Sequence, residues 1–261
     1  MSRTCVFFHA HPDDEALLTG GTMARLAAEG HRVVLVVATA GERGLSASRQ
    51  DLGAVRTREA HASAKALGCA RVEFLGYQDS GLDGAMCPGL DGATGFGLDG
   101  AMGFARADVA EAAGGLAELL HEERADLLTT YDPAGGYGHP DHVQVHRVGA
   151  LAAELAGTPR VWEATVDRTL LLRGLRLARL ARRFDLTPFR TAYTPRPEIT
   201  HTVDVRRYTT QKRAALAAHA TQTTGGDRTR TLTALLSLPK PLFTLVMGTE
   251  WYIERKRLRA R

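Results

Sequence analysis

Cysteine is scarce in this chain, and what there is of it forms no pattern. Cys5, Cys69 and Cys87 are an odd set without C-x-x-C spacing, so neither a disulfide framework nor a thiolate metal site is expected. Cys5 and Cys69 read as small buried or half-buried side chains. Long apolar runs are missing too: none approaches the ~20 residues of a membrane span. The first apolar run ends after about five residues in histidine and aspartate, which is no signal-peptide pattern, so a reducing cytoplasm is the expected location. Excess charge is also lacking. A net charge of +4 falls short of a nucleic-acid-binding signature. Finally, no G-x-G-x-x-G follows the first apolar run, which disfavours a nucleotide-binding dehydrogenase.

What is present suffices for a substantial core. At 261 residues, with 44% hydrophobic and 24% charged side chains, the chain is sized for one large α/β domain over residues 1–261.

That domain is organised around Cys5-Val6-Phe7-Phe8-His9-Ala10-His11-Pro12-Asp13-Asp14-Glu15. The near-continuous apolar residues predict a strand buried on both faces. A turn at Pro12 then leads into a helix whose first residues are acidic, as a helix N-terminus prefers. A histidine and two carboxylates therefore sit at the carboxyl end of a buried strand, where open α/β sheets keep their sites. A second copy of His-Pro-Asp stands in Gly138-His139-Pro140-Asp141-His142, after the apolar run Leu127-Leu128-Thr129-Thr130-Tyr131.

The order of elements follows from periodicity. A first helix is expected over 14–29, with Gly20-Gly21 inside it marking close approach to a neighbour. A strand over 32–40, a helix over 49–67 and a strand over 72–76 complete a βαβαβ beginning, which implies parallel pairing and right-handed crossovers. Residues 81–104 then break the pattern with three tandem octapeptides, GLDGAMCP, GLDGATGF and GLDGAMGF. Three glycine-rich units are too few to bury a core, so a flexible surface insertion is expected, reaching over the site mouth as a flap. Further elements are expected as a helix over 106–123, the strand over 127–131, a helix over 141–156 and strands over 160–166 and 199–205. Residues 168–184 predict a basic amphipathic helix, read as a surface helix with a solvated arginine face. Residues 254–261 predict a solvated charged tail. The fold class expected is a Rossmann-like, mostly parallel sheet with helices on both faces.

Taken singly, His11, Asp13, Asp14 and His142 are a core histidine, helix caps and a first-turn residue. Together they say more, because parallel strands bring both His-Pro-Asp ends onto one sheet edge. Two imidazoles and one carboxylate make three ligands and leave a position open for water, as catalytic zinc sites require. Iron oxygenases share that donor set but carry it on antiparallel jelly rolls, whereas strands and helices alternate here. A basic binding module docking a membrane or nucleic acid through the arginine helix would leave the doubled motif unexplained.

The two motifs resemble the PIG-L-like (LmbE-like) zinc N-deacetylase family, which includes mycothiol-pathway deacetylases. The resemblance covers Ala10 to Glu15, Gly136 to His142 and the βα order between them. It touches Lys212-Arg213-Ala214-Ala215-Leu216 and His219-Ala220-Thr221-Gln222 more weakly. It implies His11, Asp14 and His142 as ligands of Zn2+, or of another divalent metal such as Fe2+. It further implies Asp13 as general base and His139, oriented by Asp141, as electrophile or acid. Arg56, Asp79, Tyr137 and His219 resemble substrate-binding positions. The implied activity is removal of an N-acetyl or other N-acyl group from an amino-sugar (N-acetylglucosaminyl) conjugate by attack of metal-bound water. An amidase of a mycothiol-type thiol conjugate is the related alternative. The implied partner is a small-molecule conjugate rather than nucleic acid, and the basic helix leaves weak membrane-surface contact open. His139 faces opposing influences: a helix N-terminus disfavours its imidazolium, and Asp141 favours it.

Overall fold

Thr4–His9 forms β1, and five of its six residues are buried. Arg32–Thr39 forms β2, buried from Val33 onward. Burial on both sides of a strand is the condition of a central parallel strand with helices above and below. The protein is described from a computed structural model, in which residues 2–44, 51–81, 103–179, 187–223 and 231–255 are placed.

Five more strands complete the sheet: β3 (Arg71–Tyr77), β4 (Leu127–Tyr131), β5 (Arg160–Thr165), β6 (His201–Asp204) and β7 (Thr249–Glu254). Their order is β3-β2-β1-β4-β5-β7-β6. β1 to β5 pair in parallel, and β7 runs antiparallel to both β5 and β6. The expected Rossmann-like, mostly parallel sheet is therefore what forms. Its strand order reverses between β1 and β4, the point at which open α/β sheets leave a crevice at their carboxyl ends.

Alternation along the strands feeds two cores. Val6, Phe8, Val34 and Val36 point to one face, where they meet Ala113, Leu116 and Leu120 of α4 (Val109–Glu122) and Val145 and Val148 of α5 (Pro140–Leu155). Cys5, Phe7, Val33 and Leu35 point to the other. There they meet Met23 of α2 (Gly20–Ala28), Ala64 and Leu67 of α3 (Leu52–Leu67) and Leu216 of α7 (Thr209–Ala218).

Some boundaries differ from expectation. The helix expected over 14–29 is two, α1 (Asp14–Leu18) and α2, because Thr19 leaves helical geometry at φ −130°. The glycine pair does mark a close approach: a Cβ on Gly21 would stand 2.5 Å from Val205. The described part of the basic helix is α6 (Arg168–Arg179); residues 180–186 lie outside the described residues. So does the octapeptide insertion apart from Gly81, Gly103 and Phe104.

The C-terminal expectation needs correction. The stretch before the tail holds a helix, Lys240–Met247, and β7, and Glu254 is the last residue of that strand rather than the start of a solvated tail. Glu250 and Tyr252 are the buried side chains of β7, with Trp251 and Ile253 half-buried. A carboxylate thus occupies a core position and inverts the usual alternation. It is satisfied there: Lys212 Nζ lies 2.5 Å away, and the Gly21 and Thr22 N–H groups each donate at 2.8 Å.

Candidate metal centre and active site

The β1–α1 turn carries the first half of the site. Asp13 adopts φ 109°, ψ −28°, in the left-handed half of backbone space. A residue with a side chain sits there at a cost of ~1–3 kcal/mol, a cost that folded proteins tolerate mostly at functional sites. The turn is braced from several sides. Asp13 N–H donates to Glu15 Oε2 at 2.9 Å, and His11 N–H donates to Asp14 Oδ2 at 3.0 Å. Arg56 on α3 donates to the carbonyls of Pro12 and Gly41 at 2.5 and 2.6 Å, and its guanidinium lies 3.4 Å from Asp13 Oδ2.

The β4–α5 turn supplies the other half. His139 is the N-cap of α5, and Pro140 opens the helix where a missing N–H costs nothing. His139 Nδ1 accepts the Asp141 N–H at 3.1 Å, which places the proton of the neutral ring on Nε2. The Asp141 carboxylate bonds His11 Nε2 at 3.1 Å and Ser80 N–H at 2.9 Å. Asp141 therefore orients His139 through its backbone and His11 through its side chain.

The two turns converge as the strand order requires. Asp14 Oδ2 lies 3.4 Å from His11 Nδ1 and 3.3 Å from His142 Nε2. The rings of His11, His139 and His142 stand 4.7 to 5.5 Å apart, centre to centre. His11, His139 and His142 present nitrogens within 4.8 Å of one another, and so do the donor atoms of His11, Asp79, His139 and Asp141. His142 Nε2 is buried and has no hydrogen-bond partner among the described residues. An imidazole nitrogen left so beside a carboxylate suits coordination.

Electrostatics favour a cation at this point. Burial alone would neutralise His11, yet the carboxylates of Asp79, Asp14 and Asp141 hold its protonated form well above the usual range. Asp13 behaves differently: burial pushes its carboxyl up to about 6, with Arg56 opposing. His139 is pushed down to about 3, first by burial and then by the neighbouring His11 and His142. Asp141 and Asp79 oppose that lowering and only moderate it; its cause is burial and the two histidines, not the helix N-terminus named from the sequence.

The remaining expected site residues fall at different depths. Tyr137 stands at the mouth, 36% exposed, its ring edge-on to His142 at 5.0 Å. Asp79 lies inside, 3.4 Å from His11 Nε2 and bonded to Gly81 N–H. Arg56 is 3% exposed; its two terminal nitrogens donate to backbone carbonyls, and its Nε has no hydrogen-bond partner among the described residues. His219 is wholly buried beneath the turn, where Nε2 meets Glu15 Oε1 at 2.7 Å and Nδ1 has no hydrogen-bond partner among the described residues.

Sequence reading missed Glu15, Ser63 and Tyr131. The Tyr131 hydroxyl lies 2.9 Å from His9 Nδ1 and accepts the Ala10 N–H, and its ring lies 4.5 Å from that of His142. It reads as an ordinary strand aromatic, and only its place at the end of β4 could have marked it.

Fold and site together define an α/β protein with a buried cluster of histidines and carboxylates, of a kind that could hold a metal ion, at the switch point of its sheet. Comparison with known proteins narrows this. The pattern of the PIG-L (GlcNAc-PI de-N-acetylase) family matches residues 6–153, and the chain belongs to that family. It is 39% identical over 286 residues to a 1D-myo-inositol 2-acetamido-2-deoxy-alpha-D-glucopyranoside deacetylase of Streptomyces avermitilis, covering 96% of this chain and 91% of that one. A relative with the same name from Thermomonospora curvata is 38% identical over 253 residues, covering 84% and 80%. In fold the chain is similar to the N,N'-diacetylchitobiose deacetylase of Pyrococcus horikoshii, with a TM-score of 0.58 at 21% identity over 97% of this chain and 84% of that one.

Proposed function

We propose that this protein is a metal-dependent hydrolase that removes the N-acetyl group of an N-acetylglucosaminyl conjugate, with the inositol glycoside named for its relatives as the first substrate to try. One observation carries the reading: His11, Asp14 and His142 converge at the switch point with Asp13 and His139 beside them.

His11, Asp14 and His142 would hold a zinc-type metal, two imidazoles and a carboxylate being a donor set that zinc accepts and ferrous iron shares. The unpartnered Nε2 of His142 and the carboxylates gathered around His11 support that assignment. When bound, such a metal acts as a Lewis acid that acidifies water and polarises the acyl carbonyl.

The side chains around it do the rest. Asp13 is the proton acceptor: burial brings it toward neutrality, where a base works best, and Arg56 fixes where its carboxylate points. It takes a proton from the attacking water and returns it to the leaving amine, so that acetate and free amine balance amide and water. His139, neutral and carrying its proton on Nε2, donates toward the carbonyl oxygen as negative charge develops there. Tyr137 adds a second polar contact at the mouth. Arg56 acts on the turn rather than on the sugar, and Asp79 acts through His11. Free thiols at Cys5 and Cys69 suit a reducing cytoplasm, and no helix among the described residues is long and apolar enough to cross a membrane.

The test is a panel of N-acetylglucosamine, its inositol glycoside and other N-acetylglucosaminyl conjugates, scored for acetate and free amine. Equimolar release from the inositol glycoside, abolished by a chelator, is expected. Absence of release from every member would overturn the reading.

A further inference from the structure

We infer that Glu15, Ser63 and His219 form a buried positioning device that sets the backbone of Asp13, so that the chain beyond the family-matched segment completes the active site. The starting point is the conformation of Asp13, whose φ of 109° is unfavourable for any residue with a side chain. Its N–H is held by one side chain, Glu15 Oε2 at 2.9 Å. Glu15 is itself wholly buried and fixed at its other oxygen. Oε1 accepts the Ser63 hydroxyl from α3 at 2.5 Å and meets His219 Nε2 at 2.7 Å.

His219 follows α7 and lies well outside residues 6–153. The short helix that follows it, Ala220–Thr223, is tied to α3 directly, because Glu59 accepts both the N–H and the hydroxyl of Thr221 at 2.8 and 2.7 Å. Burying a carboxylate with an imidazole costs desolvation that well-packed apolar residues would avoid. What the pair supplies in return is directional. An apolar pair could fill the space, but it could not accept the Asp13 N–H and hold the turn in its left-handed conformation. Glu15, Ser63 and His219 are thus positioning residues, acting through Asp13 and touching no substrate.

The inference rests on Asp13 as proton acceptor, and the experiment separates the two. Purified metal-loaded protein is assayed on the inositol glycoside as wild type, His219→Ala, His219→Gln, Ser63→Ala, Asp13→Asn and the double variant Asp13→Asn/His219→Ala. Displacing a catalytic group by a fraction of an ångström to one ångström costs about 10–100-fold, so His219→Ala should lose that much in kcat with KM and metal content kept. His219→Gln, whose amide can still donate to Glu15, should recover most of the loss. In the Asp13→Asn background His219→Ala should cost nothing further, because the group it positions is already gone.

Independent, multiplying losses in the double variant would overturn the inference, as would a raised KM with kcat unchanged. Should His219→Ala fail to fold, Ser63→Ala carries the same test. It removes one hydroxyl and is expected to lose roughly 3–10-fold in kcat, again only when Asp13 is present; no loss would overturn the inference. If Asp13→Asn keeps wild-type kcat, the reading of Asp13 fails instead, whatever His219 does.

Discussion

Nε2 of His142 lies 3.3 Å from Oδ2 of Asp14, joining the end of β4 to the end of β1 across the switch point of the sheet. Neither residue needs the other for its own helix. Asp14 could cap α1 and His142 could face any side of α5, yet both turn inward to one point. The proposed metal would account for that convergence. Replacing His11, Asp14 or His142 by alanine should therefore lower bound metal after dialysis while the circular dichroism spectrum stays near wild type. Stoichiometric metal in all three variants would remove this ligand set.

The adjacent carboxylates should separate by role. Asp13→Asn should keep the metal and lose ~10²–10⁴-fold in kcat, the usual worth of a general base. Asp14→Asn should lose metal and activity together. Metal analysis beside steady-state kinetics checks both, and reversed phenotypes would exchange the assignments.

The Glu15–His219 pair makes stability depend on pH in a defined window. For Glu15, burial opposes the charge, but His219 and the Ser63 hydroxyl bring its pKa from 4.5 down to about 2. Its contribution is complete above 4.5 and is lost as pH falls toward 2. For His219, burial and Arg56 oppose the charge, but Glu15 and Asp13 raise it above 6.5. That contribution is complete below 6.5 and is lost as pH rises through the raised value. The pair thus stabilises most between 4.5 and 6.5. The Tm difference between wild type and His219→Gln should shrink from about pH 6 to about pH 9. A difference that stays constant over that span would show that His219 does not lose its proton there.

Much of this was legible in the sequence because the strands leading into the site are apolar on both faces. Phe7 and Phe8 feed opposite cores, so their run could only be a central strand, and two such strands with His-Pro-Asp ends had to meet. The illegible parts are the places where polar residues occupy core positions. Glu250 breaks the alternation of β7 because Lys212, itself buried on α7, neutralises it from far away in the chain. Glu15 looks like one more acid in a helix first turn until His219 is seen beneath it. The pairing of His219 with Glu15 was hidden for the same reason: a buried partner cannot be read from spacing. The break at Thr19 was hidden too, since the glycine pair after it read as a close approach within one continuous helix.

Close approach at Gly21 gives a prediction about packing alone. A methyl there would meet Val205 at 2.5 Å, between α2 and the segment leading to α7. Gly21→Ala should destabilise by ~1–3 kcal/mol, as overpacked cores do. Thermal unfolding reads it directly, and an unchanged Tm would mean that Val205 moves aside freely.

The most direct test of a metal held by His11, Asp14 and His142 and working on an amide is reconstitution. Metal-free protein is titrated with Zn2+ while bound metal and acetate release from the N-acetylglucosaminyl inositol glycoside are followed together. Activity should be absent at the start, rise linearly and reach its plateau at about one metal per chain, as one three-donor site predicts. Full acetate release from the metal-free protein, or metal bound at one equivalent with no acetate released, would contradict it.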